Sequence, residues 1–150
     1  MGLARFVAGG FGCGAAPIAP GTVASAAAAL CGYALLLLPR YTLSLAALAA
    51  ILAGFFAIRA AHADGDPGWV VIDEVAGQWV TLLGLARPSL FGVLAGFVIF
   101  RILDITKPGP VGWADRQPGA AGVMADDVVA GLISAGILWA ARSRWPALFG

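Results

Sequence analysis

Apolar runs dominate the chain, and short polar or Gly/Pro breaks divide them into five segments at 23–38, 42–61, 72–85, 89–105 and 126–141. They read as apolar all round, with only short breaks between them. Pro39 closes the first, and the stretch from Gly84 to Pro88 closes the third. That pattern predicts helices whose solvent is lipid rather than amphipathic helices around a soluble core. A spanning helix needs roughly 17–25 residues. The third and fifth segments fall short, so they are expected to tilt, to re-enter, or to gain a polar turn, with any irregular backbone covered by protein. The polar stretches "AHADGDPGW" (61–69) and "TKPGPVGWADRQPGAAG" (106–122) read as Gly/Pro loops. The expectation is an all-α fold: one domain over 1–150, a polytopic membrane bundle of four to five short helices.

Composition agrees. Only 11% of the residues are charged, against about 25% in soluble domains, and the mean hydropathy is +0.91. The net charge of +1 offers no basic field for nucleic acid. Cys13 and Cys31 have neither metal-type spacing nor a disulfide framework and read as structural. The first sixteen residues lack the sustained apolar core of a signal peptide.

Threading the five segments back and forth across a bilayer sorts the charges. All eight acids (Asp64, Asp66, Asp73, Glu74, Asp104, Asp115, Asp126 and Asp127) fall on the side where the chain starts, with His62, Arg101 and Lys107. The other side keeps Arg40, Arg87, Arg142 and Arg144 and no acid. Scattered solvated charges would not sort this way, whereas one polar site on one membrane face would. Basic residues divide five to four between the sides, so their count does not orient the protein.

Two adjacent acid pairs stand out, Asp73–Glu74 in "VIDEVAGQWV" and Asp126–Asp127 in "ADDVVAGLI". Capping of a helix start would explain one acid of each pair, at about 0.5–2 kcal/mol. A second adds repulsion and, at a membrane boundary, desolvation. Hard oxygen ligands around a divalent ion are the other reading, and Mg²⁺ commonly takes one or two carboxylates with waters and phosphate.

In "FRILDITKPGP", Arg101 and Asp104 share a helix face and Lys107 follows where Pro108 stops the helix. The cations either complement the helix dipole and snorkel, or clamp phosphate oxygens beside a carboxylate ligand. In "GGFGCGAAPIAPGTVAS" the glycines favour close helix approach. Thr22, at a helix start on the acidic side, is a candidate anion contact. His62 stands alone, as a cap of the second helix or an acid/base group. Trp69 and Trp113 suit an interfacial belt.

Three blocks, "GCGAAPIAPGTVAS", "DPGWVVIDEVAGQWV" and "FRILDITKPGPVGWADRQPGAAGVMADDVVAG", make the chain resemble the phosphatidylglycerophosphatase A family. The resemblance implies a small Mg²⁺-dependent membrane phosphatase that converts phosphatidylglycerophosphate to phosphatidylglycerol. It implies a multi-pass protein of the bacterial inner membrane, its site facing the cytoplasm, with a phospholipid substrate and the bilayer as partners. By the matched motifs, it assigns the site to Asp73, Glu74, Arg101, Asp104, Lys107, Asp126 and Asp127, and more loosely to Thr22 and Asp66. Where the family pattern suggests G-G-x-G before the last acids, this chain reads "PGAAG", with Ala120 as the second residue of that run.

The expected roles follow. Asp73, Glu74, Asp104, Asp126 and Asp127 hold one Mg²⁺ or two, and Arg101, Lys107 and Thr22 hold phosphate. Water attacks in line, with a carboxylate nucleophile as the alternative. A rival class is a small ion transporter or channel with an acidic cation site, which predicts acids spread through membrane depth.

Overall fold

The computed structural model describes residues 2–39 and 41–150, so Arg40 lies outside the described residues. Among these residues the backbone is helical and contains no strand. The elements are α1 (Leu3–Ala8), a 3-10 stretch at Gly10–Ala15, α2 (Pro20–Leu36), α3 (Tyr41–Ala60), α4 (Ile72–Leu82), α5 (Leu90–Thr106), α6 (Pro110–Asp115), α7 (Gly119–Arg144) and α8 (Pro146–Phe149). The five expected helices are α2, α3, α4, α5 and α7.

Their ends follow local chemistry. Pro20 opens α2 at a position where its missing N–H costs nothing. Ser89 caps α5 by accepting from the Gly92 N–H at 3.0 Å. At the end of α3, His62 takes φ 51°. Its N–H donates to the Arg59 carbonyl at 3.1 Å, and the Ala63 N–H donates to that of Ile58 at 3.0 Å. His62 therefore closes the helix through its backbone, as in a Schellman motif.

The fifth helix differs from expectation. It starts at Gly119, so "PGAAG" is its first turn rather than a loop. Pro118 precedes it in an extended conformation. The cap comes from far along the chain, where the Asp64 carboxylate accepts from the Ala120 N–H at 3.0 Å. Asp126 and Asp127 consequently lie inside the helix, not at its start.

Short α4 is the axis of the bundle. Nine of its eleven residues are buried, against α2, α3, α5 and α7. Enclosure by protein removes the need for a full spanning length. Trp79 Nε1 donates to the Ala28 carbonyl at 2.9 Å and ties α4 to α2. Gly77 lets α4 touch both α5 and α7, since a β-carbon there would sit 2.6 Å from the Phe100 ring and 2.7 Å from the Asp127 carbonyl. Gly77→Ala should cost about 1–3 kcal/mol by overpacking. Thermal unfolding in detergent should show a lowered midpoint, and an unchanged one would mean that this contact relaxes freely.

The periphery is apolar. Leu45, Leu48, Leu52 and Phe56 form an exposed stripe on α3, and Phe91, Leu94, Val98, Ile102 and Ile105 form one on α5. Faces this extensive need a lipid or protein cover. Tyr41–Ala60 and Gly119–Arg144 are long and apolar enough to cross a membrane. The chain is a helical membrane bundle.

Candidate active site

The acids come together at one end of the bundle. Asp73 and Glu74 occupy the first turn of α4, Asp104 the last turn of α5, and Asp126 and Asp127 the early part of α7. One carboxylate oxygen from each of Asp73, Glu74 and Asp127 lies within 4.8 Å of the others, and the same holds for Asp104, Asp126 and Asp127. Asp127 belongs to both groups and is 2% exposed.

Capping does not account for the arrangement. The Asp126–Asp127 pair is inside α7, and no side chain caps the start of α4. Both oxygens of Asp127, one of Asp73, one of Glu74 and one of Asp126 are buried without any hydrogen-bond partner. Unpaired buried groups cost about 1–3 kcal/mol each. Two charges at that spacing repel by about 3 kcal/mol at an effective dielectric of ~20. A hard cation among these oxygens would offset both costs, and an all-carboxylate donor set suits Mg²⁺ or Ca²⁺ rather than a soft metal.

Two cations border the cluster. Arg101 is ion-paired with Asp104, and its Nη1 lies 4.0 Å from Glu74 Oε1. Its Nη2 donates to Thr22 Oγ1 at 3.3 Å and its Nη1 to Ser25 Oγ at 3.5 Å. Ser25 in turn donates to the Gly21 carbonyl at 2.8 Å. Gly21 leaves room for Glu74, because a β-carbon there would displace the Glu74 carboxylate from its seat. The "PGT" turn therefore seats Glu74 and holds Arg101.

Lys107 takes φ 46° just past α5, with its N–H on the Leu103 carbonyl at 2.8 Å. This left-handed cap accompanies a side chain that bonds Asp115 of α6 and, at 2.7 Å, Asp126 of α7. Burial alone would lower the Lys107 ammonium, but Asp115 and Asp126 outweigh it and raise it above the usual lysine value. It is thus a fixed cation at neutral pH, not a proton acceptor.

The remaining expected residues sort simply. Asp66 lines an acidic cavity of about 250 Å³ with Asp64, Asp115 and Gln117. His62 is exposed and serves α3 through its backbone. The Ala120 N–H is taken by Asp64, so that amide is not free for phosphate. The glycines of 9–14 permit close packing, Gly14 against the Trp69 carbonyl and Gly10 against Val71. At the opposite end, Arg87 and Arg142 border a cavity with Gly150.

Two residues at the site, Ser25 and Asp115, received no role from the sequence. Ser25 lies one helical turn beyond Thr22, and that spacing could have found it. Asp115 stands in "WADR", without a pattern of its own. Gln78, one turn beyond Glu74, is wholly buried with neither amide atom bonded.

A family model described as Phosphatidylglycerophosphatase A matches residues 6–142. The chain is 44% identical over 146 residues to "Phosphatidylglycerophosphatase A" of Escherichia coli (strain K12), covering 95% of this chain and 85% of that protein. It is 37% identical over 145 residues to a Bacteroides thetaiotaomicron protein named "Putative phosphatidylinositol-3-phosphatase", covering 91% and 90%. It is 34% identical over 141 residues to "Phosphatidylglycerophosphatase A" of Haemophilus influenzae, covering 91% and 86%. No solved structure matches significantly.

Proposed function

The chain belongs to the phosphatidylglycerophosphatase A family, a phosphoric monoester hydrolase, and from that premise we propose that it hydrolyses the terminal phosphate of phosphatidylglycerophosphate in a Mg²⁺-dependent reaction. The observation that carries the metal is the set of buried, unpartnered carboxylate oxygens of Asp73, Glu74, Asp126 and Asp127. Asp104 completes the donor set, and Asp127 is shared between its two groups. Bound there, Mg²⁺ would supply Lewis-acid polarisation of the phosphoryl group and a more acidic water.

The chain's own residues do the rest. Arg101 presents a planar fork to phosphate oxygens, held in place by Asp104, Thr22 and Ser25. Thr22 and Lys107 add a hydroxyl and a point charge at the rim. The cluster contains more carboxylate oxygens than one cation requires, which leaves a base for the proton of the attacking water. That water forms the new P–O bond as the bond to the glycerol oxygen breaks, and the proton taken by the base passes to the departing oxygen, giving phosphatidylglycerol and inorganic phosphate. Catalysis on this reading is mainly positioning and electrostatics, as phosphoryl transfer allows.

The same reading makes the chain a multi-pass protein of the bacterial inner membrane, its acidic end toward the cytoplasm. Crowding of the acids at one end of the bundle supports a phosphatase over a transporter, whose ion path would spread them through the membrane.

Purified protein in detergent micelles should release phosphate from phosphatidylglycerophosphate with Mg²⁺ and lose that activity on chelation. No release from folded, Mg²⁺-loaded protein would sink the reading. Phosphatidylinositol 3-phosphate belongs in the same assay because of the Bacteroides relative. Equal turnover of both lipids would broaden the substrate to phospholipid monoesters in general.

A further inference from the structure

We propose that an acyl chain of the substrate lies along an open groove on α5, so that the lipid reaches the carboxylates sideways from the bilayer, between α2 and α5. The inference rests on the phosphatase reading above. The groove has a volume of about 360 Å³ and is lined by Phe97, Val98, Arg101, Ile102, Ile105 and Thr106 of α5 with Thr22 of α2.

Its chemistry is divided as a phospholipid's is. Val98, Ile102 and Ile105 are more than half exposed and form its apolar wall. The Thr106 hydroxyl is spent on the Ile102 carbonyl at 2.6 Å. The polar groups left are those of Arg101, which reaches Glu74 and Asp104, and of Thr22, which accepts from Arg101. Arg101 Nε has no partner. The groove is therefore continuous with the phosphate-binding side of the site and open to the membrane on the other.

Its length fits one leaflet. From Phe97 to Thr106 α5 rises about 13 Å at 1.5 Å per residue, close to half of a hydrocarbon core of about 30 Å. The groove runs down from the acidic end of the bundle, where the terminal phosphate would bind. By contrast, the cavity around Asp64, Asp66 and Asp115 is acidic and would repel the substrate's phosphodiester. An acyl chain is thus the occupant that the groove's position, depth and lining select.

The test compares a dioleoyl substrate with its deacylated, water-soluble counterpart, glycerophosphoglycerophosphate. Val98→Trp and Ile102→Trp fill the groove, and Leu45→Trp on the lipid-facing stripe of α3 is the control. For both groove variants KM for the dioleoyl substrate should rise about tenfold with kcat kept, a loss of uniform binding. The deacylated substrate should be turned over within about twofold of wild type, and the control should change neither. Equal losses on both substrates, or no change on either, would overturn the groove. Wild type inactive on both would instead overturn the phosphatase reading. If wild type accepts only the dioleoyl substrate, a diazirine on its acyl chain decides: labelling concentrated on α5 and the start of α2 supports the groove. Labelling spread equally over α3 and α7 as ordinary annular lipid, or cross-linking of a second copy through this face, overturns it.

Discussion

Asp127→Asn should lower Mg²⁺-dependent phosphate release by roughly 10³-fold, the scale on which losing a single preorganised electrostatic group acts. Asp127 is the one carboxylate common to both oxygen groups, and neither of its oxygens has a protein partner. Asn keeps the shape and removes the charge, so the change acts on the cation rather than on packing. Stability supplies an independent readout. Without metal, the substitution removes a buried carboxylate that crowds Asp73, Glu74, Asp104 and Asp126, and the unfolding midpoint should hold or rise. With Mg²⁺, wild type should gain stability by mass action and the variant should gain less. Activity within about tenfold of wild type would remove Asp127 from the centre of the site, because that loss is the scale of an outer-shell partner.

Arg101→Lys should cost about 10²–10³ in kcat although charge is conserved. Arg101 reaches Asp104, Thr22 and Ser25 with two nitrogens of one planar group and stands 4.0 Å from Glu74. An ammonium cannot reproduce that fork. A purely structural counter-ion for Asp104 and Glu74 makes the opposite prediction, since lysine would then restore function and Arg101→Ala would mainly destabilise. Near-normal turnover by Arg101→Lys would therefore reduce Arg101 to charge balance. Circular dichroism and the unfolding midpoint of both variants separate folding loss from loss of chemistry.

The five main helices were legible in the apolar runs bounded by Pro, Gly and charge, which leave the backbone little alternative in lipid, whereas α6 lies inside 106–122, a stretch whose Gly and Pro content reads as loop. The gathering of the acids was legible too, since helices that follow one another up and down a bundle return 62–71 and 106–122 to the same end of it. The five carboxylates, Arg101, Lys107 and Thr22 could be picked out as candidates on that ground and through the matched motifs. Tertiary structure alone decided where α7 starts, because its cap is Asp64, an acid from a distant loop. That one contact moved Asp126 and Asp127 from a helix start into a helix interior.

Tertiary structure also decided that α4 is central, that Asp127 is shared, that Ser25 and Asp115 join the site and that a groove opens beside Arg101. The physical reason is rotational. Helices as evenly apolar as α2, α3 and α5 carry little local instruction about which face turns inward. The facing is set by contacts far apart in sequence, such as Gly77 against Phe100 and Asp127, Trp79 on the Ala28 carbonyl, and Gly21 beneath Glu74.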